Sequence, residues 1–341
     1  MTRLRTLPLT AALTAALLVT GSAAAAPAVP APRAAAADGG PAVTGFALGG
    51  ATHRLVAREA HALTTLTVAG VSITADGRGV IRPDAGTRRL AGTARREGLR
   101  SELLVSNYSN RLGDFDARAA SRLLGSRANI ERVARRLAGL VAAQGWGGVN
   151  VDLELVPRRR AAGLVRLVRR LQALMPAART VSVDVSASTS LAAYRSHGYR
   201  LGDLGRSADV VVLMTYDFHG PAWSGPGPVG PLRWQRQALR AALKAVPAER
   251  LDLGVAGYGY TWPRRGTGRT VSVAGARRLV RRDGARAVWH PRSGEWSARL
   301  SNGTVLWWSD ARSWRLRARL VSELGVHGLA LWRLGSADPL P

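Results

Sequence analysis

The sequence predicts an α/β fold, a (β/α)8 TIM barrel with a small α+β insertion between strands 7 and 8. Three observations predict it. Short β-rich runs alternate with segments of helical periodicity, the pattern of βα units around a parallel sheet. Beyond a leader, the chain has roughly 300 residues, enough for one barrel with a full core. Its best-marked strand ends in two carboxylates, and barrels of this kind carry their chemistry at the C-terminal ends of the strands.

Met1 to about Ala26 reads as a secretory signal peptide: Arg3 and Arg5, an apolar core from Leu7 to Thr20, then Ser22-Ala23-Ala24-Ala25-Ala26 as a small-residue cleavage region. A Pro/Ala-rich linker, residues 27–41, precedes the folded part, residues 42–341. Strands are expected at Val43–Leu48, Thr64–Val71, Ser101–Asn107, Gly148–Glu154, Thr180–Ser186, Ala208–Thr215, Leu251–Gly257 and His327–Trp332. Between the third and fourth, Ile130, Val133, Leu137 and Val141 recur at helical spacing. The insertion, residues 258–309, shows a helical piece around Gly275–Arg282 and strand-like runs at Val288-Trp289, Trp296–Leu300 and Val305–Trp308. Its tryptophans, Trp289, Trp296, Trp307 and Trp308, are expected mostly in its core.

The most informative stretch is Gly147-Gly148-Val149-Asn150-Val151-Asp152-Leu153-Glu154. Side chains alternate along a strand, so Asn150, Asp152 and Glu154 share one face and Val149, Val151 and Leu153 the other. Neighbours on one face lie roughly 7 Å apart, near enough for one carboxylate to tune the next. By pattern alone, two acids on one strand are more often solvated or salt-bridged than catalytic.

The stretch resembles the fourth-strand signature of glycoside hydrolase family 18, the chitinase-like enzymes, which reads D-G-x-D-x-D-x-E. The resemblance implies that Glu154 is the general acid, Asp152 its partner carboxylate and Asn150 the residue behind that partner. Asn at that place is familiar from the branch of bacterial spore-germination and peptidoglycan glucosaminidases. Gly147 stands in place of the first Asp, and Leu153 in place of the usual aromatic. Val211-Val212-Leu213-Met214-Thr215-Tyr216-Asp217 resembles the family's M-x-Y-D segment, which implies that Tyr216 and Asp217 hold the substrate's N-acetyl group. By the same resemblance Tyr258 lines the sugar cleft, and Trp332 lies under the sugar at the cleavage point. Tyr260 stands where many chitinases have Arg. Asn107 is expected to face the cleft without an assigned task.

The resemblance further implies a secreted glycosidase that cleaves β-1,4-linked N-acetylglucosamine polymers, peptidoglycan or chitin, by substrate-assisted retaining catalysis. Asp152 is expected to raise the pKa of Glu154, and Asn150 to hold Asp152 by hydrogen bonding. The rival reading is a non-catalytic, chitinase-like sugar-binding protein of the cell wall; a third is a wall protein held by charge alone.

Composition narrows the rest. The net charge is +27, and Lys244 is the only lysine. Such a surface is either simply solvated or attracted to an anionic matrix such as a bacterial wall. The arginines are dispersed on helix faces, as Arg166, Arg169 and Arg170 are beside Leu164, Leu167, Val168, Leu171 and Leu174, so no nucleic-acid partner is expected. With no cysteine, neither a thiol nucleophile nor a lipid-anchoring Cys is available. No G-x-S-x-G occurs, the glycines around residues 145–148 lack the Lys a phosphate cradle needs, and no histidines pair at metal-ligand spacing. No cofactor, metal or stable membrane anchor is expected. The expected partner is an N-acetylglucosamine-containing polysaccharide, and the expected working form a monomer.

Overall fold

The computed structural model describes residues 40–341. The segment expected to be a signal peptide, and all but the end of the expected linker, lie outside the described residues. Eight parallel strands close into a barrel: β1 (Ala42–Leu48), β2 (Thr65–Ser72), β3 (Arg100–Ser106), β4 (Gly148–Asp152), β5 (Thr180–Ser186), β6 (Val210–Met214), β7 (Leu251–Ala256) and β8 (Gly328–Trp332). Each pairs with the next, and β8 closes on β1 with Ala42 opposite Gly328. The chain is therefore a (β/α)8 barrel, as expected.

The barrel forms because its strands have an apolar outward face to bury, while the inward face of β3, β4 and β5 carries buried polar side chains such as Glu102, Asn150 and Ser182. Outward residues such as Val149, Val151, Val181 and Val183 are fully buried beneath the helices, where β-branched side chains suit a pleated surface. The helix Arg127–Gln144 turns Ile130, Val133, Leu137 and Val141 onto that surface. The Ser126 hydroxyl accepts from Asn129 N–H to cap its start, and Gly145, at φ +69°, ends it just before β4. Asp84 caps the helix Ala85–Arg96 in the same way.

The insertion is more regular than expected. Its helix runs Val273–Asp283, and its strands form a five-stranded antiparallel sheet in the order Thr270–Ser272, Tyr258–Trp262, Val305–Trp308, Glu295–Arg299, Val288–His290. Sequence reading missed the first two strands, because Tyr258–Trp262 continues almost directly from β7 and looks like its extension. Trp308 is buried, and Trp296 stacks on it at 6.3 Å. Trp289 packs on Trp296 and carries the Arg312 guanidinium 4.1 Å above its ring. Trp307 faces the other way, toward Tyr216 and Trp332.

A buried ion pair welds this sheet to the loop after β6. Arg317 and Glu295 are each about 1% exposed at the side chain. Glu295 accepts from Val229 N–H and Gly230 N–H, both at 2.7 Å. Arg317 donates to the carbonyls of Gly230 and Gly294 and to Gln235 Oε1. The loop 218–230 thus has a fixed base on the rim of the barrel. Among the described residues no helix is long and apolar enough to cross a membrane.

Candidate active site

β4 ends at Asp152, so Glu154 lies beyond the strand and alternation alone does not place it. Asn107, just after β3, does. Its carboxamide accepts from Glu154 N–H at 2.8 Å and donates to the Glu154 carbonyl at 2.9 Å. Leu155 follows at φ +54°, a left-handed conformation that costs a branched-chain residue energy. The chain turns sharply there, while the Asn107 clamp holds Glu154 over the barrel mouth. The task of Asn107 is thus to fix the backbone of the acid.

Asn150 is fully buried, and its amide donates to Ser182 Oγ at 3.0 Å and Asp184 Oδ1 at 2.8 Å, both on β5. The expectation that Asn150 holds Asp152 is therefore corrected: its amide turns sideways to the next strand. Ser106 is the register partner of Asp152 on β3, and its hydroxyl favours the charged form of Asp152. Below them Glu102 accepts from Thr67, Thr180 and Ser182 hydroxyls at 2.8–3.0 Å. A cavity of about 400 Å³ opens at the opposite, N-terminal end of the barrel and reaches Glu102, Asn150 and Ser182 from beneath.

Gly147 stands at that far end of β4, five residues and about 16 Å from Asp152. Its N–H donates to Ser101 Oγ at 3.2 Å, and a Cβ there would sit only 3.0 Å from the Ser101 carbonyl. The missing Asp is thus replaced by a close backbone approach, remote from the acids.

Burial first, then the Asp152, Asp217 and Asp114 carboxylates, push Glu154 up to about 9. The expected effect of Asp152 is present, but desolvation exceeds it. Burial likewise raises Asp152, to about 7, against the Ser106 hydroxyl that favours its charged form. Asp114 comes from the small hairpin after β3, Tyr108–Ser109 against Asp114–Phe115, so that loop contributes charge at the rim.

The second wall rises from the end of β6. Thr215 Oγ1 donates to the Gly254 carbonyl at 2.6 Å and anchors the turn. Asp217 adopts φ +58°, a conformation Asp tolerates better than most residues. The hydroxyls of Tyr258 and Tyr260 both donate to Asp217 Oδ1, the latter at 2.7 Å. Tyr258 thus meets the cleft through Asp217, and Tyr260, which stands where many chitinases have Arg, shares the task. The Tyr216 ring stands edge-on to Tyr258 at 6.4 Å, and its hydroxyl is pushed up by burial, then by Asp184 and Asp152. Trp332 packs on Phe46 at 5.6 Å, beside Tyr216 and Trp307. Trp223 and Phe218, in the loop 218–230, expose 55% and 44% of their surface, large apolar faces left on the rim.

Asp152 at the end of β4, Glu154 beyond it, Tyr216 and Asp217 after β6, Tyr258 after β7 and Trp332 at the end of β8 lie on the C-terminal side of the barrel. Asn150 sits deeper, in the middle of β4. Sequence reading missed Asp184 and Ser106. The signal for Asp184 was present: in Thr180-Val181-Ser182-Val183-Asp184-Val185-Ser186 every second residue is polar, which puts Asp184 on the inward face. Among the described residues no three His, Asp or Glu side chains form a group that could hold a metal ion.

The family model described as glycosyl hydrolases family 18 matches residues 106–337, from the end of β3 past β8. This chain belongs to glycosyl hydrolase family 18. It is 26% identical to a Bacillus subtilis (strain 168) protein called uncharacterized glycosylase YvbX, over 76% of this chain and 77% of that protein. It is 23% identical to the cortical fragment-lytic enzyme of Bacillus anthracis, over 76% of this chain and 63% of that enzyme. The crystal structure of a chitinase from Chromobacterium violaceum ATCC 12472 superposes with a TM-score of 0.79 at 25% identity, covering 87% of this chain and 95% of that one. In this family 18 chain the fourth-strand acids, the Tyr216-Asp217 segment and Trp332 all fall within the matched residues.

Proposed function

We propose that this protein is a secreted glycosidase that cleaves β-1,4-linked N-acetylglucosamine polymers by substrate-assisted catalysis with retention. The observation that carries the reading is the position of Glu154: clamped by Asn107 over the barrel mouth, half-buried, and held in its acid form beside Asp152. A carboxyl that stays protonated near neutral pH is poised to give a proton to a leaving oxygen.

In this mechanism the acetamido oxygen of the bound sugar attacks the anomeric carbon as Glu154 protonates the departing glycosidic oxygen. An oxazolinium forms. Asp152 accepts the acetamido N–H and offsets the positive charge, and the Tyr216 hydroxyl donates to the acetamido oxygen. Glu154, now a carboxylate, takes a proton from the water that opens the oxazolinium from the face the leaving group left. Two displacements at one carbon return the β configuration. Asp217, held by Tyr258 and Tyr260, supports the N-acetyl group, and Trp332 stacks under the apolar face of the sugar.

Peptidoglycan is the substrate we favour over chitin. The net charge of +27 suits a wall rich in carboxylates and phosphodiesters, and the relative from Bacillus anthracis is named for lysis of cortical fragments. The signal-like segment Met1–Ala26 supports export.

The test is hydrolysis of chitooligosaccharides and purified peptidoglycan by the mature protein beside Glu154→Gln, with the first product followed by NMR. Cleavage to a β product, lost in the variant, is the expected result. An inverted first product rules out the mechanism. Sugar binding without cleavage by either protein favours a sugar-binding barrel instead.

A further inference from the structure

Asp184 is a buried carboxyl that the mechanism above leaves unused. It is 4% exposed, on the inward face of β5. β4 and β5 pair with Asn150 opposite Ser182 and Val151 opposite Val183, so the next step of the register sets Asp152 beside Asp184. Neighbouring strands are about 4.8 Å apart, a separation at which two buried carboxyls do not both ionise readily. Asn150 Nδ2 donates to Asp184 Oδ1 and so occupies one of its oxygens. Asp152 Oδ1, on the other side, is buried and accepts from no side chain or backbone N–H. A buried acceptor left empty costs on the order of 1–3 kcal/mol, and a proton on Asp184 would supply it.

We propose that Asp184 is a positioning residue for Asp152: it stays protonated and donates its hydrogen to the Asp152 carboxylate. Asn150 holds Asp184 from behind, so the strand that carries Asn in place of a carboxyl is braced by a carboxyl from its neighbour. The effect is to orient Asp152 and to keep the negative charge on Asp152. The groups acting on Asp184 are Asp152 from β4, Glu102 from β3 and Glu154 beyond β4, with the Tyr216 hydroxyl from the β6 side. Burial and these acids hold Asp184 well above the usual carboxylate range, against the Asn150 hydrogen bond. This inference rests on the glycosidase reading for its effect on turnover.

The discriminating variants are Asp184→Asn, which keeps an N–H donor toward Asp152 and an acceptor toward Asn150, and Asp184→Ala and Asp184→Leu, which keep neither. On chitooligosaccharides, Asp184→Asn should hold kcat within about 3-fold of the parent, whereas Asp184→Ala and Asp184→Leu should lose about 100-fold in kcat with KM little changed. Equal losses in Asp184→Asn and Asp184→Ala overturn the proposal, because an anion would then be what matters; parental activity in Asp184→Ala overturns it as well. A readout independent of turnover is the carboxyl-carbon NMR spectrum of protein labelled at aspartate. At neutral pH the parent should show a protonated aspartyl carboxyl that disappears in Asp184→Asn. Its absence from the parent overturns the proposal even if Asp184→Ala fails to fold. A parent that cleaves no glycan sinks the glycosidase reading instead, and the NMR arm still decides whether Asp184 carries the proton.

Discussion

Asn107 grips both backbone polar groups of Glu154, although the two residues are 47 positions apart in the chain. The clamp joins the end of β3 to the loop after β4 and fixes the acid where strand geometry has already run out. Asn107→Ala removes both bonds, each worth about 1 kcal/mol net, and frees a turn strained at Leu155. The expected result is a kcat loss of about 100-fold, since a displacement near 1 Å costs that much at a reacting group, with a modest drop in Tm. Asn107→Asp, which accepts but does not donate when ionised, should also be impaired. Steady-state kinetics with thermal unfolding of each variant checks this.

Glu154 determines how activity and stability respond to alkali. Its folded-state pKa, pushed up to about 9, lies above its unfolded value. Between those values the unfolded chain binds fewer protons than the folded one, so the Glu154 contribution to stability declines as pH rises through that window. Activity should fall along an alkaline limb near that pKa as the acid form is lost. Glu154→Gln should be inactive yet more stable than the parent at pH near 8, with the difference vanishing below pH about 4. Equal pH dependence of Tm in the two proteins would contradict the raised pKa.

Tyr258 and Tyr260 donate to the same oxygen of Asp217. Each can cover in part for the other, so Tyr260→Phe alone should raise KM only a few-fold, while the double change to Phe should exceed the sum of the singles by about 0.5–2 kcal/mol in transition-state binding. A double-mutant cycle on kcat/KM measures that coupling. Strict additivity would show that the two hydroxyls act on separate parts of the site.

Arg317 and Glu295 form an ion pair buried at both side chains. Arg317→Met leaves the Glu295 carboxylate buried without its cation and strips donors from the Gly230 and Gly294 carbonyls. Breaking such a pair from one side costs about 3–5 kcal/mol, and the loop 218–230 should loosen first. Denaturant unfolding gives the cost, and limited proteolysis should cut the variant within 218–230 before the barrel opens.

The barrel was legible because its signal is local. Val181, Val183 and Val185 alternate with Thr180, Ser182, Asp184 and Ser186, and Ile130, Val133, Leu137 and Val141 repeat at helical spacing, so strand and helix follow from periodicity. The same alternation misplaced Glu154 in β4, because a period of two has no term for the turn at Leu155. The strand Tyr258–Trp262 was hidden because only pairing with Trp307 and Trp308 separates it from β7.

The sequence by itself determined the fold class, the eight strands, the family resemblance and the set of acids and aromatics at the strand ends, since each depends on residue type and on spacing along one segment. Only the tertiary structure decided who touches whom. Asn107 reaching Glu154, Asn150 turning to Asp184, both tyrosines meeting at Asp217 and Arg317 beneath Gly230 are contacts between segments remote in the chain. Hydrogen bonds depend on distance and direction between side chains, and closure of the barrel is what sets both.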